Sequence, residues 1–315
     1  MSIVAVFTTH TLFEIFELLN SKLKEENTVT FIALNPDIKD HVFSGEVIKV
    51  NGDTFIYRGL KSWVNLAELL GCKMMTPKIV SEYLIEITFK KLQASNSFHI
   101  ANTPKKEEKY GTDSEFAKIS KNEEATFLYH YKKALESVKI SGRRNILDIG
   151  INKADEFDII KAIVTTDIFA KMKLVGIDHS SSALELAKDK FPNAIFLNAD
   201  INYFDTLDLG AFDLIISIGT LQSPGINYKL FLMNLVQNHI SENGAIILGF
   251  PNSRWIDGEL IYGAKAPNYN YSEMSLVFND VIFAKKYLQQ KKFRVTITGR
   301  EYIFLTATKI GLNRS

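Results

Sequence analysis

The sequence predicts an α/β fold: a seven-stranded, mostly parallel sheet with an antiparallel last strand, plus a smaller N-terminal α+β domain. Three observations predict it. From residue 145 onward, apolar runs alternate with segments of helical spacing, which implies βαβ units and a sheet covered on both faces. Near the end, FRVTITG and YIFLTATKI are separated only by Arg300-Glu301, too short for a crossover helix, so these strands pair antiparallel. The first part of the chain follows a different pattern, with short mixed elements and a hairpin signal. The large sheet is therefore Rossmann-like, and the expected division is 1–95 for the N-terminal domain, 96–144 for a linker and cap helix, and 145–315 for the sheet domain.

Taken in order, residues 11–25 have the spacing of an amphipathic helix, followed by the β-rich run TVTFIAL. GEVIKV and TFIYRG flank Asn51-Gly52-Asp53, a hairpin signal because Asn-Gly readily adopts positive φ. SWVNLAELLG reads as a helix stopped by Gly71, and LIEITFKKL alternates like a half-buried strand. The stretch NTPKKEEKYGTDSEF has the composition of a surface loop. After it, KNEEATFLYHYKKALESVKI places Phe127, Leu128, Tyr131, Leu135 and Val138 on one broad helical face. Tyr129, two residues from Tyr131, faces elsewhere. The strands of the last zone are NILDIG, LVGID, AIFLNAD, FDLIISIG and GAIILGF, alternating with the helices DEFDIIKAIV, SSALELAKDKF and about 228–239.

Composition narrows the function. With 37 Lys and Arg against 36 Asp and Glu, the net charge is +1, so no global field attracts nucleic acid or anionic membrane. The single cysteine, Cys72, excludes an internal disulfide framework and a thiolate-only zinc site, and reads as a small core residue. No spaced His/Cys/Asp cluster suggests a metal. MSIVAVFTTHTLFEIFELL has no basic leader, and no apolar stretch approaches the ~20 residues of a membrane span. The expectation is a cytoplasmic protein with neither membrane nor metal partner, its oligomeric state open.

Ligands of doubly wound sheets bind beyond the carboxyl ends of the strands. Gly150 follows the first strand, Asp178 ends the second, Asp200 the third, and Ser217-Ile218-Gly219-Thr220 the fourth. Each suits an adenosine ligand. Gly150 allows close backbone approach, Asp178 can accept both ribose hydroxyls, and Asp200 can accept from an exocyclic amine. Each also has a plainer reading: Asp148 and Gly150 as an ordinary strand-to-helix turn, Asp178 as a helix cap, Asp200 as the start of a turn through Asn202, and His179 as a helix-entry residue.

The ordered set ILDIG, GIDHSSSALELAKDKF, FLNAD and FDLIISIGTL, closed by FRVTITGREYIFLTATK, resembles the class I S-adenosylmethionine-dependent methyltransferases over residues 145–309, roughly half the chain. The resemblance implies that S-adenosyl-L-methionine is the cofactor. It implies that Asp178 binds ribose, that Asp200 and Ile201 bracket adenine, and that Asp148 to Asn152, including Gly150, line the methionine moiety, with His179, Ser217 and Gly219 beside the ligand. The family's Gly-x-Gly-x-Gly is here Gly150-Ile151-Asn152-Lys153-Ala154. Asparagine tolerates left-handed backbone well, so Asn152 can stand in for a glycine. Asp155-Glu156 make the next helix start acidic, which suits the helix dipole and repels the diphosphate of a nicotinamide dinucleotide.

The methyl acceptor is a small molecule or an RNA nucleoside. PNSRWIDGELIYGAKAPNYNYSE is dense in aromatic, basic and amide groups, and its Arg254, Tyr262 and Asn268, with Tyr110 of the linker, are candidate substrate residues. The plainer reading is a long connection packed by its own aromatics. No residue is singled out as the general base; Tyr262, His99 and Glu124 are able to serve. Gly219-Thr220-Leu221-Gln222 lacks the tetrapeptide of amino-group nucleic-acid methylases, and there is no Pro-Cys nucleophile. The alternatives are a non-catalytic cofactor- or partner-binding module on the same fold, motivated by the depleted glycine loop, and an enzyme that transfers another group from the same cofactor.

Overall fold

A computed structural model of the chain describes residues 3–93, 119–256, 258–261, 263 and 273–310. Tyr110, His99, Tyr262 and Asn268 lie outside the described residues. The chain divides into two compact units, Met1–Ile100 with Trp255–Ile261, and Ala101–Arg254 with Tyr262–Ser315.

The first unit runs β1 (Ile3–Val6), α1 (Leu12–Glu25), β2 (Thr28–Leu34), β3 (Val47–Val50), β4 (Asp53–Ile56), α2 (Leu60–Leu69), β5 (Cys72–Met74), β6 (Lys78–Ile79) and β7 (Leu84–Lys91). Its sheet has the order β1-β2-β7-β5, with β6 also on β7. β1 and β2 are parallel, so β1-α1-β2 is a βαβ unit. Thr11 caps α1 in a reciprocal box with Glu14. Asn51 and Gly52 both take positive φ, and β3 and β4 form the hairpin their sequence predicts. α1 and α2 bury Ile15, Leu19, Leu23, Trp63, Leu66 and Ala67 on the sheet. Cys72 is sealed in that core, and burial pushes its thiol up to about 11.

The second unit opens with α3 (Ala125–Ser137) and continues β8 (Asn145–Ile149), α4 (Asp155–Ile163), α5 (Thr166–Phe169), β9 (Lys173–Asp178), α6 (Ser181–Lys190), β10 (Ile195–Asn198), β11 (Phe212–Ile218), α7 (Tyr228–Asn234) and β12 (Ile240–Pro251). In sequence there follow the short pair β13 (Arg254–Ile256) and β14 (Glu259–Ile261), of which residues 255–261 belong to the first unit, and then, in the second, α8 (Ser275–Gln290), β15 (Phe293–Gly299) and β16 (Tyr302–Lys309). The sheet order is β10-β9-β8-β11-β12-β16-β15. The first five of these pair parallel, and β16 runs antiparallel between β12 and β15. Two apolar clusters cover the sheet: Phe127, Tyr131, Phe157 and Leu184 belong to one, Leu232, Val281 and Leu288 to the other. On α3 the buried stripe is Phe127, Tyr131, Ala134 and Leu135, while Leu128 is exposed. α7 is shorter than its sequence pattern suggests and ends in a π-helical turn, Leu235–His239.

Candidate functional site

The carboxyl ends of β8, β9 and β11 converge on the first βα loop. Gly150 takes φ +80°, Asn152 +50° and Ala154 +64°. The loop therefore keeps the left-handed turns of a glycine-rich motif at positions where only one residue is glycine. A Cβ on Gly150 would sit 1.8 Å from Thr220 Oγ1, so the β8 and β11 ends close on each other only without a side chain there. Gly150 and Ile151 donate their N–H groups to Ile177 O, which locks the loop against β9.

Asp178 sits at the end of β9, 7% exposed. Its Oδ2 accepts from Asn152 N at 2.9 Å and its Oδ1 from Ser180 N at 2.9 Å. Each oxygen thus keeps a further lone pair. The cap of α6 is Ser180, whose hydroxyl accepts from Ala183 N, so Asp178 is not that helix's cap. His179 Nδ1 lies 3.7 Å from Asp178, on a half-exposed side chain.

Asp148 is 0% exposed, and neither carboxylate oxygen has a hydrogen-bond partner among the described residues. Burial, reinforced by neighbouring Glu156, pushes this carboxyl well above its ordinary range. Glu156, in the first turn of α4, is almost fully buried and paired through Oε1 with Lys121 Nζ at 2.6 Å. Its Oε2 has no partner among the described residues. Burial works against the Lys121 charge, but Glu156, Tyr302 and Asp155 together hold the ammonium above its usual range. Asp155 is shared between Lys190 at 3.3 Å and Lys153 at 3.8 Å. Asp155, Glu156 and Asp158 thus enter ion pairs at the start of α4, whereas Asp148 makes none among the described residues, and the nearby Lys121 charge only moderates the upward push on its carboxyl.

The segment leading into α3 is held on this loop. Besides the Lys121–Glu156 pair, Asn122 Nδ2 donates to Asp155 O at 3.0 Å and Lys153 Nζ to Ile119 O at 3.2 Å. The sequence signalled none of these partners, because nothing local marks Lys121 or Asn122 apart from other polar residues before a helix. Tyr131, buried beneath, also has its hydroxyl pushed up, first by burial and then by Asp148 and Glu156.

Farther along, Arg254 is 8% exposed, with Nε 3.6 Å from Glu124 Oε1 and its guanidinium carbon 5.1 Å above the Tyr302 ring. A Cβ on Gly219 would meet Tyr302 at 3.7 Å, which joins this pair to the β11 end. Two expected ligand groups are committed locally. Ser217 Oγ donates to Ile149 O at 3.0 Å, and Asp200, which is exposed, accepts from Asn202 N at 2.9 Å as the cap of the 3-10 turn Ile201–Leu207. Ile201 is buried beside it. Among the described residues no group of His, Cys, Asp and Glu could hold a metal ion, and no helix is long and apolar enough to cross a membrane.

No protein-family profile and no curated protein sequence matches the chain. Solved structures do. A CurJ carbon methyltransferase is 15% identical over 65% of this chain and 57% of its own, with a TM-score of 0.41. The plantazolicin methyltransferase BpumL, in complex with SAH, is 15% identical over 65% and 93%, at 0.42. Magnesium protoporphyrin IX methyltransferase (ChlM) from Synechocystis PCC 6803, with bound SAM, is 16% identical over 58% and 81%, at 0.37. At these scores the likenesses add nothing to the strand order. Five parallel strands with the last strand inserted antiparallel beside the fifth are themselves the class I methyltransferase fold, and that is the fold of the second unit.

Proposed function

We propose that the second unit binds S-adenosyl-L-methionine and transfers its methyl group to a small molecule. The observation that carries the reading is Asp148, a fully buried carboxylate without a partner at the end of the first sheet strand. A buried acceptor left unpaired costs roughly 1–3 kcal/mol, more when charged, and is expected where a ligand completes it. The acids at the start of α4 favour a cation there and oppose a diphosphate.

The residues fit the cofactor group by group. Asp178 offers its remaining lone pairs to the ribose hydroxyls, and Asp148 accepts from the amino-acid ammonium. Gly150 lets the backbone approach, Ile201 lies against adenine, and Asp200 accepts from its exocyclic amine with the oxygen that Asn202 leaves free. S-adenosylmethionine supplies a methyl group already activated on a sulfonium, so the protein mainly aligns donor and acceptor. Glu124, Arg254 and Tyr302 face the acceptor side. Arg254 orients a polar acceptor, and Glu124 takes up its proton. The near-zero net charge supports a small acceptor over RNA, whose phosphates call for a basic surface. Incubating the protein with methyl-labelled cofactor and fractionated small-molecule or RNA pools tests this. Label in the RNA fraction alone would reverse the acceptor class.

A further inference from the structure

The first unit holds a buried charge that the reading above does not use. Arg58 is 6% exposed and lies just before Gly59, the N-cap of α2. Its Nη2 donates to His10 O at 2.5 Å, and its Nη1 reaches Ile56 O at 3.4 Å. No carboxylate pairs with it among the described residues, and burial alone pushes it below its usual range. The other buried arginine, Arg254, has Glu124 beside it, and Arg143 has Asp213. A guanidinium has five N–H groups, and beyond these two bonds Arg58 has no acceptor among the described residues.

The surroundings point the same way. His10 immediately precedes Thr11, the N-cap of α1, just as Arg58 precedes the N-cap of α2. The Arg58–His10 bond therefore joins the positive ends of two helices. At α1 the capping carboxylate of Glu14 answers that end. At α2 nothing does: Gly59 makes no side-chain cap, and the first turn has no acid. Trp63, in that first turn, is 2% exposed, and its indole N–H has no partner among the described residues. Helical side chains point back toward the N-terminus, and the Trp63 ring lies 5.7 Å from the Arg58 guanidinium carbon. Residues 7–11, finally, follow the carboxyl end of β1 in the β1-α1-β2 unit, where ligands of such units bind.

We propose that Arg58, the N-terminus of α2 and the loop 7–11 form a binding site for a phosphate monoester. The free N–H groups of Arg58 and the first-turn amides of α2 supply donors from several directions, which suits a tetrahedral dianion better than a flat carboxylate.

The test uses the full chain, labelled with nitrogen-15 and carrying Trp255→Phe, so that Trp63 gives the sole indole N–H signal. Titration with inorganic phosphate is expected to move that signal saturably, whereas sodium chloride and acetate at equal ionic strength leave it in place. Gly59 has φ −65° and ψ 159°, and a Cβ there meets nothing closer than 3.8 Å, so Gly59→Asp is sterically open. Its carboxylate would cap α2 from the anion's seat, raising the melting temperature and removing the phosphate response. Arg58→Gln is expected to weaken phosphate binding roughly tenfold or more. No saturable shift with phosphate, a shift that acetate reproduces, or a response that survives Gly59→Asp in a folded sample overturns the site.

Discussion

Gly150, Asn152 and Ala154 show how a motif with one glycine keeps the shape of one with three. Each takes positive φ, and only Gly150 is sterically required to be glycine, because Thr220 occupies the space of its Cβ. Asn152 was legible as a glycine substitute from its tolerance of left-handed backbone; Ala154 has no such tolerance and holds its conformation because it is sealed in the core. Gly150→Ala is expected to cost about 3 kcal/mol or more, from overpacking and a strained φ together, read by urea denaturation. Asp148 carries the opposite prediction. Its folded carboxyl lies above the ordinary 3.8, so its contribution to stability is full below that value and is lost as pH rises toward the folded one. Asp148→Asn should therefore stabilise the ligand-free protein near neutral pH by on the order of 1 kcal/mol while weakening cofactor binding. In the native protein, ligand binding should release a proton and weaken as pH falls, seen by calorimetry in buffers of different ionisation enthalpy. Asp178→Ala should weaken S-adenosylhomocysteine binding by about 1–3 kcal/mol, the scale of a lost charged hydrogen bond.

The clasp between the α3 entry and the first βα loop belongs to the scale of elements. Lys121, Asn122 and Lys153 fasten residues 119–122 to the start of α4. Removing one partner of a buried pair leaves the other uncompensated. Lys121→Met is expected to cost about 3 kcal/mol, the low end for such pairs because the lysine is partly exposed. Adding Glu156→Gln should restore most of it, a coupling that a double-mutant cycle measures. The elements themselves were readable. Periodicity placed α1, α3 and the alternating strands, Asn-Gly placed the β3-β4 hairpin, and the two-residue gap at Arg300-Glu301 dictated the antiparallel β15-β16 pair. The clasp was not, because its partners lie more than thirty residues apart and neither end has a local signature.

Across the whole molecule, the near balance of 37 cations and 36 anions hides local imbalance. The start of α4 gathers acids that Lys121, Lys153 and Lys190 answer, whereas the meeting point of α1 and α2 gathers positive charge with no acid in the first turn of α2. Composition could not reveal either, since each depends on which residues the fold buries together. The placement of Asp148, Gly150 and Asp178 at strand ends was legible because strand ends are fixed points in a doubly wound sheet. The local engagement of Ser217 and Asp200 was not, since a hydroxyl or carboxylate at a strand end serves backbone and ligand equally well. Cys72, sealed and with its thiol pushed up, should label with a thiol reagent only as the first unit opens, at a rate that urea accelerates. The most direct measurement is isothermal titration of the folded protein with S-adenosylhomocysteine. The account predicts saturable one-to-one binding that Asp148→Asn and Asp178→Ala each weaken; absence of binding in a sample shown to be folded would contradict it.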